Sequence, residues 1–386
     1  VLGAAALLGS WLFGSIALAP VGFGVLAAGV GALAWRRLAA RSLGLERRIA
    51  TPRLVEGDEL VVELQLTGAA GRWGRAVAHE TITGLGAARV PLTRGRGVLR
   101  LSDVPRGRRM LGPARVVLED PLGLERAEAV APALGSVVVR PRFVALETLF
   151  TDGGGGEGFD GRRARIRRAA GIDLHSVRDY REGEPLRLVH WPTTARRGEL
   201  TVLDLQDAPR DETVVVLDCD PRGVAGPIGR TSFDEAVRVV ASLLRAGVRR
   251  RRPVALAGAG HGAELLRVTG LDASWEAALD ALAAVEPDER RSLAPVLSDP
   301  RLAPTRSAEL VLVTCRPEAL DTGPATGRPL GGVVLVDAPT YAGAPASGSS
   351  TALLRVAGEG TPVAVVRAGL DLATALGGVS REARSA

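Results

Sequence analysis

The chain contains no lysine and no asparagine among its 386 residues. All of its formal positive charge is therefore arginine, and the excess over Asp and Glu is only +6. A nucleic-acid binder needs positive charge segregated on one face. Here 43 acidic residues are interleaved with 49 basic ones, which argues against nucleic acid as a partner. Aromatic residues make up 3%, so a core drawn from the 46% hydrophobic content is aliphatic, built from Leu, Val and Ala. Cysteine is limited to Cys219 and Cys315. Two cysteines make no disulfide framework, and their spacing does not match the close pairs that bind zinc. Histidine is limited to His79, His175, His190 and His261. No Gly-x-Ser-x-Gly, His-Glu-x-x-His or phosphate-binding loop is present. Enzymatic function is not expected.

Charge is also absent from residues 1–35. At ~1.5 Å per helical residue this stretch exceeds one crossing of a ~30 Å hydrocarbon layer. Ala19-Pro20-Val21-Gly22 interrupts it, so the pattern predicts a hairpin of two transmembrane helices, 1–18 and 21–35. The apolar run resumes after the break instead of giving way to a polar mature start, which argues against a cleaved leader. Arg36, Arg37, Arg41, Arg47 and Arg48 follow in a basic juxtamembrane linker, 36–52. Positive flanks stay on the cytoplasmic side. The expected location is the cell membrane, with the remainder cytoplasmic.

Residues 53–145 read as an all-β, sandwich-like domain. Short strands at 60–66, 98–101, 114–118 and 137–140 are separated by turns at 56–58, 94–97, 105–107 and 120–123. A linker and motif-bearing segment spans 146–210. It holds four consecutive glycines, 153–156, and a basic run, 162–168, suited to anionic lipid headgroups beside a tethered chain. From 211 to 386, apolar strands at 213–218, 253–257, 310–314, 333–337 and 362–366 alternate with helices at 233–250 and 275–285. Thr231 or Ser232 suits the cap of the first helix, and Asp272 or Ser274 that of the second. The alternation predicts an α/β domain of Rossmann type, without the glycine-rich loop of a dinucleotide site.

The densest motif lies in the 146–210 segment. Arg178, Asp179, Tyr180, Gly183, Glu184, Arg187, His190 and Trp191 are followed by Ala195, Arg196 and Leu200. Guanidinium forks pair with carboxylates and stack on rings, so the segment reads either as an internal ion-pair cluster or as a partner-binding face. These residues resemble the signature of the bacterial family called "domain of unknown function 58", with Glu184 in place of that pattern's Asp. Pro105-Arg106-Gly107-Arg108 and Asp120-Pro121-Leu122-Gly123-Leu124 extend the resemblance. The resemblance implies a von Willebrand factor A-like C-terminal half. It also implies, as partners, a MoxR-type AAA+ ATPase and a transglutaminase-like membrane protein. The function it implies is that of a membrane-anchored adaptor that assembles or remodels a partner with that ATPase.

Von Willebrand A folds often hold magnesium through Asp-x-Ser-x-Ser after the first strand, a Thr, and an Asp after the fourth. In this chain the first element reads Asp218-Cys219-Asp220-Pro221-Arg222, and Cys315 stands at the later Asp position. Arg222 and Cys315 remove oxygen ligands from a site that wants hard donors. The expectation is a degenerate site without a metal or other cofactor, in which Arg222 replaces the cation and pairs with Asp218 or Asp220. Two alternatives remain: a metal-dependent ligand binder through that site, and a hydrolase using His190 and Glu184. Adjacent first and fourth strands would also bring Cys219 and Cys315 close together.

Overall fold

The computed structural model describes residues 2–51, 53–68, 75–151, 177–179, 191–199, 201–203, 212–260, 265–305, 308–322, 330–348 and 350–377. The chain divides into two units, Val1–Arg140 and Pro141–Ala386.

The first unit begins with α1 (Leu2–Phe13) and α2 (Leu18–Ser42). A side chain on Gly3 would strike Leu26, and one on Gly22 would strike Leu7, so the helices pack antiparallel at close range. The expected break at residues 19–22 is displaced to residues 14–17. Pro20 sits in the first turn of α2, where its missing N–H is not needed for helix bonding. α2 is the one described helix long and apolar enough to cross a membrane. With 12 residues, α1 extends only ~18 Å. The two expected helices are present as a 12-residue apolar helix packed on a 25-residue one, and the second begins at Leu18 instead of Val21 and runs on past Trp35.

The expected linker at 36–52 is also corrected. α2 continues to Ser42, and β1 (Gly44–Ile49) follows after one residue. Trp35 packs on the core of the β structure, and Ala39 is fully buried in it. Ten strands make up that structure: β1, β2 (Leu54–Val55), β3 (Leu60–Thr67), β4 (Arg75–Ile82), β5 (Gly86–Leu92), β6 (Arg96–Leu101), β7 (Gly107–Leu111), β8 (Ala114–Glu119), β9 (Arg126–Ala131) and β10 (Gly135–Arg140). One sheet runs β1-β3-β6; the other runs β2-β10-β7-β4-β8-β9, with β5 also paired to β4. Period-2 alternation decides which face is buried. In β3, Leu60, Val62, Leu64 and Leu66 face a shared core with Ala76, Ala78 and Ile82 of β4 and Val116 and Leu118 of β8.

Arg47 of β1 belongs to this core. Its side chain is 2% exposed and ion-pairs at 2.8 Å with Glu80 of β4, which is 0% exposed. Arg47 also donates to the carbonyl of Gly112 at 3.0 Å and to that of Pro132. Burial pushes the Glu80 carboxyl above its ordinary range, and Arg47 opposes that shift.

The second unit begins earlier than the expected 211. Leu146 is buried in its core, Val144 N–H donates to Ser242 Oγ at 3.0 Å, and the Phe143 ring meets Trp275 edge-on at 5.3 Å. The Arg245 guanidinium lies 5.8 Å from the centroids of both rings. A two-stranded ribbon, β11 (Val177–Asp179) with β12 (Thr201–Leu203), and α3 (Trp191–Arg197) come next. α3 ends at Gly198, whose φ of +76° suits a left-handed cap; its N–H returns to the Thr194 carbonyl at 2.8 Å.

The α/β body contains β13 (Thr213–Leu217), α4 (Ser232–Arg249), β14 (Val254–Ala257), β15 (Leu266–Val268), α5 (Ala273–Ala284), α6 (Leu293–Ser298), β16 (Glu309–Thr314), α7 (Ala319–Thr322), β17 (Leu330–Val336), α8 (Ala338–Tyr341), α9 (Thr351–Gly358), β18 (Val363–Val366) and α10 (Leu372–Leu376). The sheet order is β15-β14-β13-β16-β17-β18. β15 is antiparallel and the other pairings are parallel. Both faces are covered, which is why the strands read as unbroken apolar runs. Val215 and Leu217 of β13 join the core under α4, α5 and α10, whereas Val214 and Val216 join the core under α6, α7 and α9. Thr231 caps α4 in a reciprocal pair with Asp234, and Asp272 caps α5.

Glu80→Ala would leave the Arg47 guanidinium buried without its carboxylate and cost ~3–5 kcal/mol. Arg47→Met combined with Glu80→Leu should recover part of that loss, though the Gly112 and Pro132 carbonyls lose their donor. Denaturant-dependent hydrogen exchange in residues 2–140 of the detergent-purified chain reads both effects.

Candidate functional site

The carboxyl ends of β13 and β16 lie side by side where the strand order reverses, the place where open α/β sheets carry their sites. Asp218 follows β13, and both of its carboxylate oxygens are engaged. Oδ2 accepts from Thr314 Oγ1 at 2.6 Å. Oδ1 accepts from Leu293 N–H at the start of α6 at 3.0 Å, and from Asp220 N–H at 3.2 Å. Asp218 thus ties β13, β16 and α6 together. Burial raises its pKa and outweighs the Thr314 bond.

Asp220 is held differently. Its Oδ1 accepts from Arg222 N–H at 2.9 Å and Arg222 Nε at 3.0 Å, and its Oδ2 accepts from Arg222 Nη2 at 2.7 Å. Arg316 Nη1, arriving from the end of β16, closes on the same Oδ2. Hydrogen bonding from Arg222 first, then from Arg316, outweighs burial and lowers the Asp220 pKa to about 2. The 3-10 turn at Pro221–Gly223 makes this fork local, since Asp220 both caps it and binds its Arg. A side chain on Gly223 would come within 2.8 Å of Cys315 Cβ, so this turn lies directly on the loop after β16.

Asp218, Asp220, Arg222 and Cys315 are therefore brought together, with Arg222 on Asp220 rather than on Asp218. An ion on Asp220 would have to displace guanidinium donors from both oxygens. Among the described residues, no group of three or more His, Cys, Asp or Glu is placed to hold a metal. Cys219 and Cys315 are both buried free thiols near the same strand ends. Burial pushes the Cys315 thiol far up, which keeps it protonated and unreactive.

Sequence reasoning passed over Asp337 and Arg367 at the neighbouring strand ends. Asp337 is buried after β17, accepts from Ser347 N–H at 3.1 Å and lies 3.5 Å from Arg367 Nε. An Asp closing an apolar strand was the available signal, the same one that marks Asp218.

The signature residues are placed unevenly. Arg178 and Asp179 lie on β11, opposite Val202 and Thr201. Trp191 opens α3 with 61% exposure, and Arg196 is exposed on the same helix. Tyr180, Gly183, Glu184, Arg187, His190 and Leu200 fall outside the described residues, as do the glycine run, the basic run, His175 and His261. His79 is exposed on β4, across from Arg89 and Arg115.

The model of the family described as "Protein of unknown function DUF58" matches residues 176–315. The match takes in the signature segment and the strand ends that carry Asp218, Asp220 and Cys315, so the resemblance to that family holds across the site. No curated protein matches the chain.

Asp220 is ordinarily half-ionised near pH 3.8 and is lowered to about 2 here. Its contribution to stability is fully present above the higher value and is lost as pH falls through the lower one. Asp220→Asn should cost on the order of 2 kcal/mol at neutral pH, with the difference from the parent shrinking toward zero between those two values. Unfolding followed in the α/β unit across an acid series measures this.

Proposed function

We propose that the chain is a membrane-anchored, cytoplasmic protein-binding subunit of adaptor type, without catalytic activity, whose partner is a MoxR-type AAA+ ATPase. A transglutaminase-like membrane protein is the expected third member of the assembly. The observation that carries this reading is the Asp220 fork. The place where an open α/β sheet presents its ligand site is filled by the chain's own Arg222 and Arg316. These donors do not fit a divalent cation, because the oxygens it would need are already engaged. What remains at the edge is a surface. Ile228, on the loop before α4, is 82% exposed there, and Arg222 is largely exposed.

The von Willebrand A-like reading of this unit is supported by its strand order with one antiparallel edge strand. Membrane anchoring is supported by α2. Cytoplasmic orientation is supported by Arg36, Arg37 and Arg41, which follow the charge-free part of α2. Arg47 no longer counts toward that asymmetry, since Glu80 neutralises it. The exposed Trp191 and Arg196 on α3 are of the residue types that dominate protein interfaces.

Affinity capture from native membranes, with and without ATP, should recover an AAA+ ATPase in a nucleotide-dependent way. Arg196→Ala should weaken that capture about tenfold, the ~1.4 kcal/mol of one modest interface side chain, with the melting temperature unchanged. Reproducible absence of the ATPase from abundant, folded protein would remove the reading. Against the metal-dependent alternative, titration with magnesium should give no stoichiometric heat. A signal abolished in Asp218→Ala would restore that alternative. Loss of a measurable hydrolytic activity in His190→Ala would favour the enzyme reading instead.

A further inference from the structure

We propose that the β8–β9 turn is a lipid-contacting loop that sets Leu122 and Leu124 into the interface of the bilayer crossed by α2. The inference rests on the membrane-anchored reading of α2.

Position comes first. Arg36 is the first charged residue of the chain, so it marks where α2 leaves the hydrocarbon. Arg36 Nη1 bonds Glu125 Oε2 at 3.2 Å. Eleven residues on, Arg47 donates to the Pro132 carbonyl, so the chain from 36 to 47 runs alongside 125 to 132 in the same direction. Residues 121–124 therefore project from Glu125 toward the apolar part of α2, away from the body of the β unit.

Composition comes second. Pro121-Leu122-Gly123-Leu124 carries no charge. Leu122 is 64% exposed and Leu124 is 56% exposed. Leu122 and Leu124, turned outward on a hairpin tip, lie outside the β core, where Leu118 at the end of β8 is fully buried.

Backbone chemistry comes third. A loop entering an apolar layer must bring its own hydrogen-bond partners. Pro121 has no N–H. Gly123 N–H donates to the Asp120 carbonyl at 3.0 Å, Leu124 N–H donates to Asp120 Oδ1 at 2.6 Å, and Glu125 N–H donates to the same oxygen at 3.3 Å. Asp120 N–H donates to the Glu125 carbonyl at 3.0 Å. Asp120 is itself buried, so its charge is turned into the turn and not toward lipid. Among the described residues, the Leu122 N–H and the carbonyls of this tip are left to water and headgroups, which sets the tip at interfacial depth and not in the hydrocarbon. Gly123, at φ +71°, supplies the left-handed residue that such a tight closure needs. The flanking pairs Arg36–Glu125 and Arg126–Glu119 lie one residue behind the tip, at the depth where headgroups begin.

The test uses the full chain in lipid nanodiscs of phosphatidylcholine and phosphatidylglycerol. A polarity-sensitive fluorophore is placed in turn at Leu122→Cys, at Val25→Cys within α2, and at Ser102→Cys, which is exposed beyond the far end of β6. The parent chain, whose two cysteines are buried, gives the background labelling. Nitroxide-bearing lipids should remove most of the emission at 122 and 25 and leave 102 unaffected. Quenching at 25 with none at 122 overturns the loop inference and leaves the anchor standing. No quenching at 25 overturns the anchor, and the inference with it. As a second readout, Leu124→Asp should abolish the blue shift of the fluorophore at Leu122→Cys, while the turn, held by Asp120 and Gly123, persists.

Discussion

A carboxylate sealed from water must be hydrogen-bonded or paired where it sits, and at Glu80 and Asp220 arginine is the group that does it. That constraint governs both units. Glu80 is buried in the β core with Arg47 bonded to it, and the same guanidinium closes off two backbone carbonyls. Asp220 is buried at the end of β13 with two guanidinium groups on it, one from its own turn and one from β16. Arginine suits the task because its planar fork satisfies several acceptors at once and stays charged through any pH the fold meets. The strand ends at the α/β edge are consequently stitched together by charge.

The apolar strands of the α/β unit and α4 were legible because burial on both faces leaves a composition that little else produces. The expected strands at 213–218, 253–257, 310–314, 333–337 and 362–366 agree with the structure to within three residues at each end. β15 escaped because it is three residues long with an arginine at its centre. In the β unit, β3, β6, β8 and β10 were legible, whereas β1, β2, β4, β5, β7 and β9 were not. In β1, β4 and β9 the inward run of large aliphatics is broken by alanine, as at Ala76, Ala78 and Ala127, or by a charged residue whose partner is distant in sequence, as with Arg47 and Glu80. Pro20 misled in the opposite sense. A proline looks like a break, yet in the first turn of a helix it is compatible with helical geometry.

At the site, spacing after an apolar strand was enough to nominate Asp218, Asp220 and Cys315, and the parallel pairing of β13 with β16 brings them together. Which carboxylate Arg222 would choose was not legible. The choice depends on Thr314 and the N–H of Leu293, which take both oxygens of Asp218 and leave Asp220 to the arginines. No pattern local to residues 218–222 contains that information.

α2 does not stop where its charge-free stretch ends at Trp35. Its last turns are built into the β unit, with Ala39 in the core and β1 beginning one residue after the helix ends. A flexible tether over 36–52 would have given the β unit roughly 20–25 Å of free play. The continuous helix gives it almost none. The unit is mounted on a stiff shaft, so a push, pull or twist applied to it is carried into the apolar part of α2 instead of being absorbed as slack.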